Sequence, residues 1–257
     1  MSLDFDIVAF WVSYRGADFA GFQQQTGLRT VQGELLRAFP EVGLERNPVV
    51  AGRTDKGVSA RMQVLSSRVP KGSDLGALTA KLNAALPADV QVHLAKVTRP
   101  KFHAAWSANQ KEYHYALTEP GDLEKLREVI SLIPGTRDFR VFHFKTSQLK
   151  PRTVHSVELL SPSPVGRGSR EARGEGHVLR FVGEGFARFM VRMLVGGALQ
   201  VSRGEIPIDT FRAGLEQQQN FGCPKAPPEA LTLWSVGYPD ELDPFTPDER
   251  AAFVWPR

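Results

Sequence analysis

Residues 52–60, GRTDKGVSA, bring several groups that could do chemistry into one short segment. Its carboxylate, Asp55, stands between Arg53 and Lys56. Neighbouring cations lower the pKa of a carboxyl group and keep it ionised, as a nucleophilic carboxylate must be. A segment that only connects two strands is usually shorter and carries fewer such groups. The residues alone also fit an Asp-stabilised turn without chemistry, so both interpretations stay open at this point.

A second candidate is Arg192, in a stretch whose apolar residues surround a predicted helix over residues 186–202. A helix that is apolar nearly all round is largely buried, and a buried cation needs an anion beside it. Asp55 is one possible partner, and Asp209 and Glu184 are others. The alternative is that the arginine reaches the surface along its apolar stem.

Several familiar sites are excluded by the pattern. Gly16 and Gly21 have P-loop spacing, but Phe22 stands where that motif requires lysine. The six histidines do not pair with carboxylates at metal-ligand spacing, so we expect no metal site. The single cysteine, Cys223, cannot form an internal disulfide. Residues 185–189 partly resemble an aromatic RNA-binding signature, but they run into a helical pattern that favours a core position.

The elements that must position these residues follow one order twice. The first half predicts strand, helix, strand, strand, helix, strand at 6–14, 31–40, 48–51, 62–69, 75–86 and 89–97, with Thr30 as the N-cap of the first helix. The second half predicts the same order at 106–117, 122–133, 152–160, 177–183, 186–202 and 230–236, with a Gly/Arg/Ser loop over 161–176.

This order predicts an α+β protein of two ferredoxin-like (βαββαβ) units, whose antiparallel sheets form a central cleft. We place the first unit, with the Asp55 loop, at 1–103 and the second, with Arg192, at 104–239. An acidic tail follows at 240–257.

Charge and composition limit the compartment and the partners that we expect for this protein. The chain has 257 residues, 42% of them hydrophobic, and no apolar run long enough to span a bilayer. We expect a soluble protein of a reducing compartment, the cytoplasm, because there is one cysteine and no secretion leader. The net charge of +4 divides into −3 for residues 238–257 and +7 for the rest. That excess indicates nucleic acid only weakly, since a solvated charged face predicts the same.

From about residue 13 to 239 the sequence resembles the tRNA pseudouridine synthase A family. The segments that carry the resemblance are Tyr14 with Gly16, Phe19 and 21–25; 30–32; 52–55 with Gly57 and Val58; 82–87; 102–104; Tyr113 with Tyr115; Phe186; 190–192 with Val195 and Gly196; and Ala226 with Pro227 before Leu231. The order of these segments around Gly-Arg-Thr-Asp is highly specific and favours a catalytic Asp55 over a simple turn.

The resemblance implies an isomerase without cofactor or metal, which converts uridine to pseudouridine at positions 38, 39 and 40 of the tRNA anticodon stem-loop. It implies that Asp55 is the catalytic aspartate and that Arg192 pairs with it and orients it. Tyr113 would stack on the target base, and Arg53 would hold the nucleotide out of its stack. The implied partners are tRNA and a second copy of the chain in a homodimer, with no membrane.

Two alternatives remain. The sequence departs from the family at Arg15, Phe22, Ser59, Ala105 and Lys111, which allows a synthase with different target uridines. A non-catalytic RNA-binding module would instead need surface aromatics and no loop carboxylate. A small-molecule hydrolase is disfavoured, because the chain lacks a triad, a metal site or a second placed carboxylate.

Overall fold

The computed structural model describes residues 4–44, 47–144, 150–161 and 176–255. Most of the predicted Gly/Arg/Ser loop, residues 162–175, therefore lies outside the described residues. The chain forms two compact units: Met1–Asn109 with Leu233–Arg257, and Gln110–Thr232. Both are mixed α+β, with antiparallel strand pairs. No helix in the described ranges is long and apolar enough to cross a membrane.

The helices and strands, in chain order, are β1 Phe5–Tyr14, α1 Val31–Glu41, β2 Val49–Val50, β3 Ser59–Pro70, α2 Leu75–Ala85, β4 Val90–Val97, β5 Gln110–Ala116, α3 Leu123–Ser131, β6 Gly135–Arg137, β7 Arg152–Leu160, β8 Val178–Gly183, α4 Met190–Ser202, α5 Ile208–Glu216, β9 Leu231–Gly237 and α6 Pro247–Ala252.

In the first unit the strand order is β4-β1-β3-β9, and the two-residue strand β2 pairs with Leu65 and Ser66 of β3. The central strand β1 is buried from Val8 to Tyr14, as its run of apolar residues predicts. Helix α1 begins at the predicted cap, because Thr30 Oγ1 accepts a hydrogen bond from Gly33 N at 3.1 Å. The helix continues one residue beyond Pro40, its predicted end.

The second unit has the strand order β5-β8-β7-β6. Tyr113 on β5 lies opposite Phe181 on β8, and Phe181 lies opposite Val157 on β7. Helix α3 packs against α4 and β7. The short strand β6 and the helix α5 had no counterpart in the sequence prediction.

Two predicted starts are wrong by four residues. Helix α4 begins at Met190 rather than at residue 186, because Phe189 adopts a left-handed backbone with φ +65° and interrupts the helical path. The strand predicted from residue 106 begins at Gln110, and Trp106 is 85% exposed in the turn before it. There the indole stacks on the ring of His103, with centroids 4.0 Å apart.

The acidic tail folds as part of the first unit. Arg61 on β3 donates hydrogen bonds to the carbonyl oxygens of Arg250 and Phe253, each at 3.1 Å. Its guanidinium also lies 4.8 Å from the ring centroids of Phe253 and Trp234. Arg61 thus binds both the main chain and an aromatic ring of the tail. The sequence of the tail has no clear periodicity, so this contact could not be predicted from it.

Candidate active site

A buried network of polar side chains holds the Asp55 loop. The hydroxyls of Tyr14 and Thr54 are hydrogen-bonded at 2.8 Å. Gln63 Nε2 donates to the carbonyl oxygen of Gly52 at 2.6 Å and to the Tyr14 hydroxyl at 3.3 Å. Burial raises the pKa of Tyr14 to about 12, so it remains a neutral hydroxyl. Gly52 and Thr54, the residues on either side of Arg53, are therefore tied to β3 and β1.

The segment before α1 approaches the same loop through backbone contacts. A Cβ on Gly16 would lie 2.2 Å from the carbonyl oxygen of Val58, a distance that only glycine permits. Gly21 has φ +113°, which other residues rarely adopt. Next to it, Phe22 N donates to Thr54 O at 3.0 Å. The glycines of this segment therefore serve close packing against the loop rather than phosphate binding.

Within the loop, Asp55 is half-buried while Arg53 and Lys56 are exposed. The turn is closed by a main-chain hydrogen bond from Val58 N to Asp55 O at 3.2 Å. This bond uses the carbonyl rather than the carboxylate, so closing the turn at this point does not require an aspartate side chain. The main-chain bond fits both interpretations of this segment, the Asp-stabilised turn and the catalytic loop.

Tyr113 lies on β5 of the second unit and is buried. The side chain is 8% exposed, and its ring meets that of Phe186 edge-on with centroids 5.4 Å apart. Phe186 was predicted to lie on the helix, but it precedes α4 and packs against this tyrosine instead. An aromatic ring held on one side by another ring is suited to stacking against a planar base.

Arg192 is half-buried on the first turn of α4. Its Nε donates to the carbonyl oxygen of Ala226 at 2.7 Å, and Ala226 N donates to Arg192 O at 3.0 Å. A Cβ on Gly196 would lie 2.1 Å from Pro224 O, so glycine is needed for this close packing. Burial raises the pKa of nearby Tyr115 to about 12, although the positive charge of Arg192 acts to lower it. The arginine is thus oriented by the chain segment before β9.

The predicted partners of Arg192 can be compared. Asp209 Oδ1 lies 3.7 Å from Arg212 Nε on its own helix, and its side chain is 86% exposed. Glu184 is also exposed. Neither has the setting of a buried counterion.

The four predicted site residues divide equally between the units. Arg53 and Asp55 lie on one loop of the first unit, and Tyr113 and Arg192 lie on β5 and α4 of the second. In the part of the chain that the structure describes, no group of three or more His, Cys, Asp and Glu side chains could hold a metal ion.

Sequence reasoning missed the residues that position this loop. Gln63 is completely buried in β3, and Thr54 is 7% exposed. A glutamine between apolar residues of a predicted core strand is a usable signal, because a buried amide must find hydrogen-bond partners. The identity of those partners, Gly52 and Tyr14, could not be predicted from neighbouring residues.

Comparison with known proteins finds one consistent similarity. Residues 129–239 match the family model described as tRNA pseudouridine synthase. The tRNA pseudouridine synthase A of Methanothrix thermoacetophila is 35% identical over 91% of this chain and 84% of its own length. That of Bacillus licheniformis is 35% identical over 88% of this chain and 97% of its own. The solved archaeal box H/ACA sRNP Nop10-Cbf5 complex aligns with a TM-score of 0.36 at 16% identity, over 74% of this chain and 43% of that one.

Proposed function

This chain belongs to the tRNA pseudouridine synthase A family, and from that premise we propose that it isomerises uridine to pseudouridine at positions 38, 39 and 40 of the tRNA anticodon stem-loop. The observation that carries the proposal is the Asp55 loop. Its Gly-Arg-Thr-Asp sequence is held at Gly52 by a hydrogen bond from Gln63 and at Thr54 by a hydrogen bond with Tyr14. Because such a loop is already ordered, little conformational entropy is lost in positioning its carboxylate when the substrate binds.

The reaction is an isomerisation, so every atom of uridine is retained. The bond between ribose and nitrogen 1 of uracil breaks, the base rotates, and a bond from carbon 5 to the ribose forms. Nitrogen 1 gains a proton and carbon 5 loses one. Asp55 forms a transient bond, either to the ribose carbon or to the pyrimidine ring, and is released unchanged. Both routes use its ionised form.

The other predicted residues have supporting roles in this proposal. Arg192 pairs with the Asp55 carboxylate and orients it, and its anchoring to Ala226 O supports a fixed guanidinium. Tyr113 stacks on the extruded base and accepts or relays the carbon 5 proton. Arg53, exposed on the loop, holds the nucleotide out of its stack.

The finer architecture is also part of the proposal. We propose that both units are ferredoxin-like (βαββαβ). In the first unit, the pairing of β1 with β4 and β3, and of β3 with β2, supports this assignment. In this proposal, residues 1–103 carry the Asp55 loop, residues 104–239 carry Tyr113 and Arg192, and an acidic tail follows at 240–257. The enzyme acts in the cytoplasm as a homodimer that binds tRNA.

The test is tritium release from carbon 5 of labelled uridine in an unmodified tRNA transcript, followed by mapping of the modified positions. We expect Asp55→Asn to abolish release, at least about a thousandfold, because an amide cannot serve as the nucleophile. Binding of tRNA should stay within about threefold of the unaltered protein.

The matched control is Asp18→Asn, which removes an exposed carboxylate from the neighbouring segment. This control should retain turnover. Turnover by the Asp55 variant would overturn the role of Asp55. Tight tRNA binding without any modification by the unaltered protein would favour the RNA-binding module, and modification outside positions 38–40 would favour the synthase with other targets.

A further inference from the structure

Three cations surround the ring of Phe189 in the second unit. The Arg188 guanidinium carbon and Lys225 Nζ each lie 4.7 Å from the ring centroid, and the Arg192 guanidinium carbon lies 5.5 Å from it. Phe144, 58% exposed, packs edge-on against the same ring at 6.1 Å, and its own centroid is 5.6 Å from the Arg188 guanidinium. We name these five residues the Phe189 patch.

The two outer cations of the patch are not neutralised by the residues that the structure describes. Arg188 and Lys225 are both exposed, and neither forms an ion pair with a carboxylate of the described ranges. Each lies within 4.7 Å of one ring centroid, so they are closer together than the Debye length of about 10 Å at 0.1 M ionic strength. Like charges at this separation repel, and a bound anion would remove that repulsion.

The backbone of Phe189, which carries this ring, is also strained. Phe189 has φ +65° and ψ 0°, a left-handed backbone that is unfavourable for a bulky residue. Hydrogen bonds on both sides maintain it, from Met193 N to Phe189 O at 2.9 Å and from Phe144 N to Arg188 O at 3.1 Å. Strain that the surroundings enforce is common at binding sites. Here it holds an aromatic ring in contact with three positive charges.

We propose that the Phe189 patch binds the phosphodiester backbone of tRNA, with Arg188 and Lys225 contacting phosphates and the exposed ring of Phe144 against an unpaired base. Exposed cations interleaved with aromatic rings match single-stranded nucleic acid, which offers both phosphates and π faces. The patch adjoins the proposed site, since Lys225 precedes Ala226, the residue that binds Arg192. The inference rests on the proposed function and adds a location for the RNA strand.

The test compares salt dependence of tRNA binding in the full chain. The Kd for an unmodified transcript is measured between 50 and 200 mM salt for the unaltered protein and for Arg188→Ala with Lys225→Ala. Each lost phosphate contact lowers the slope of log Kd against log salt by about 0.7 to 0.9. We therefore expect the double variant to lower the slope by about 1.4 to 1.8 and to weaken binding roughly tenfold at 100 mM salt.

The matched control is Lys125→Ala with Arg127→Ala, which removes two exposed positive charges from α3. Glu124 and Glu128 lie on the same helix, so this surface has no cationic excess. The control should leave the slope unchanged. An unchanged slope in the patch variant, or an equal fall in the control, would overturn the inference.

Phe189→Asn tests the ring separately, because asparagine tolerates the left-handed backbone better than other side chains. We expect a Kd several-fold higher with the salt slope retained, in a protein whose circular dichroism is unchanged. An unchanged Kd in that folded variant would count against the aromatic part of the patch.

Failure of the inference is distinguishable from failure of the proposed function. If the unaltered protein releases tritium and the patch variant keeps its salt slope, only the patch is wrong. If the unaltered protein binds tRNA through the patch but releases no tritium, only the function is wrong. In an active enzyme the patch variant should lose kcat/KM mainly through a higher KM, because phosphate contacts made away from the reacting atoms stabilise ground and transition states alike.

Discussion

Gln63 is a buried residue of β3 that positions the Asp55 loop by binding its first residue. The side chain is 0% exposed, and its amide both donates to Gly52 O and accepts from Gly52 N, at 2.6 and 3.3 Å. Gly52 begins the segment that carries Asp55, so this pair of bonds sets where the loop leaves the sheet. The hydrogen bond between Tyr14 and Thr54 sets the position of the residue just before the aspartate.

Replacing Gln63 with leucine should therefore reduce both stability and turnover. The change leaves buried polar groups of Gly52 without partners, which costs about 1 to 3 kcal/mol in the free energy of unfolding. We expect kcat to fall at least about tenfold in the fraction that remains folded, since the carboxylate loses its fixed position. Urea unfolding and single-turnover kinetics measure the two effects.

Tyr14→Phe is the milder comparison, because it deletes one hydroxyl and keeps the packing of the ring. It should lower kcat less than Gln63→Leu does. Normal kcat in a folded Gln63→Leu variant would contradict the positioning role.

At the scale of elements, charged side chains join three neighbouring strands of the second unit. Glu112 on β5 accepts hydrogen bonds from His114 at 2.7 Å and from Arg180 on β8 at 2.7 Å, and Arg180 also lies 3.3 Å from Glu158 on β7. Burial raises the pKa of Glu112, but the hydrogen bonds from His114 and Arg180 outweigh it and lower the pKa to about 2. The three strands are thereby linked through Arg180, which contacts one carboxylate on β5 and another on β7.

This lowered pKa predicts a specific acid sensitivity. Because the folded-state pKa lies below the unfolded value of about 4.5, the carboxylate stabilises the fold fully above pH 4.5. That stabilisation, on the order of 2 to 3 kcal/mol, is lost as the pH falls through about 2. The stability difference between the unaltered protein and Glu112→Gln should therefore be constant near neutral pH and shrink below pH 4.5. Urea unfolding at a series of pH values checks this, and a difference independent of pH would contradict it.

Most elements could be predicted from local pattern, and the exceptions have physical causes. Strand β7 has the predicted bounds, and the cap of α1 is confirmed at Thr30, because both depend on residues close in sequence. The start of α4 was wrong, since a left-handed phenylalanine is maintained by contacts that sequence periodicity does not contain. Trp106 likewise has the composition of a strand residue but lies in an exposed turn.

For the whole molecule, the distribution of charge is more informative than its sum. The acids of the tail are partly compensated within the first unit: Asp243 binds Arg250 at 2.6 and 2.8 Å, and Glu249 pairs with Lys96. In the second unit, by contrast, Arg188 and Lys225 of the Phe189 patch are exposed. Neither of these two has a carboxylate partner among the described residues. The modest net charge of +4 therefore conceals a local cationic surface.

The proposed homodimer gives a prediction at this scale. Sedimentation equilibrium of the full chain should yield a mass twice the 28.4 kDa of one chain, and the same species should carry tritium-release activity across a dilution series. A dimer that binds one tRNA across both copies should also show half-stoichiometric RNA binding. A fully active species of 28.4 kDa would contradict the dimer while leaving the chemistry of Asp55 in place.

By itself, the sequence determined the family and most of the order of elements, and it predicted the catalytic segment, because these depend on motifs and on periodicity over short stretches of chain. Only the tertiary structure decided how that segment is held. Tyr14, Thr54 and Gln63 come from three separate parts of the first unit, and their hydrogen bonds form only when β1 and β3 pair. The same is true of the Phe189 patch, where Phe144, Arg188 and Lys225 meet through folding. Contacts between residues distant in sequence leave no local periodic signal, which is why neither arrangement could be predicted before the fold was known.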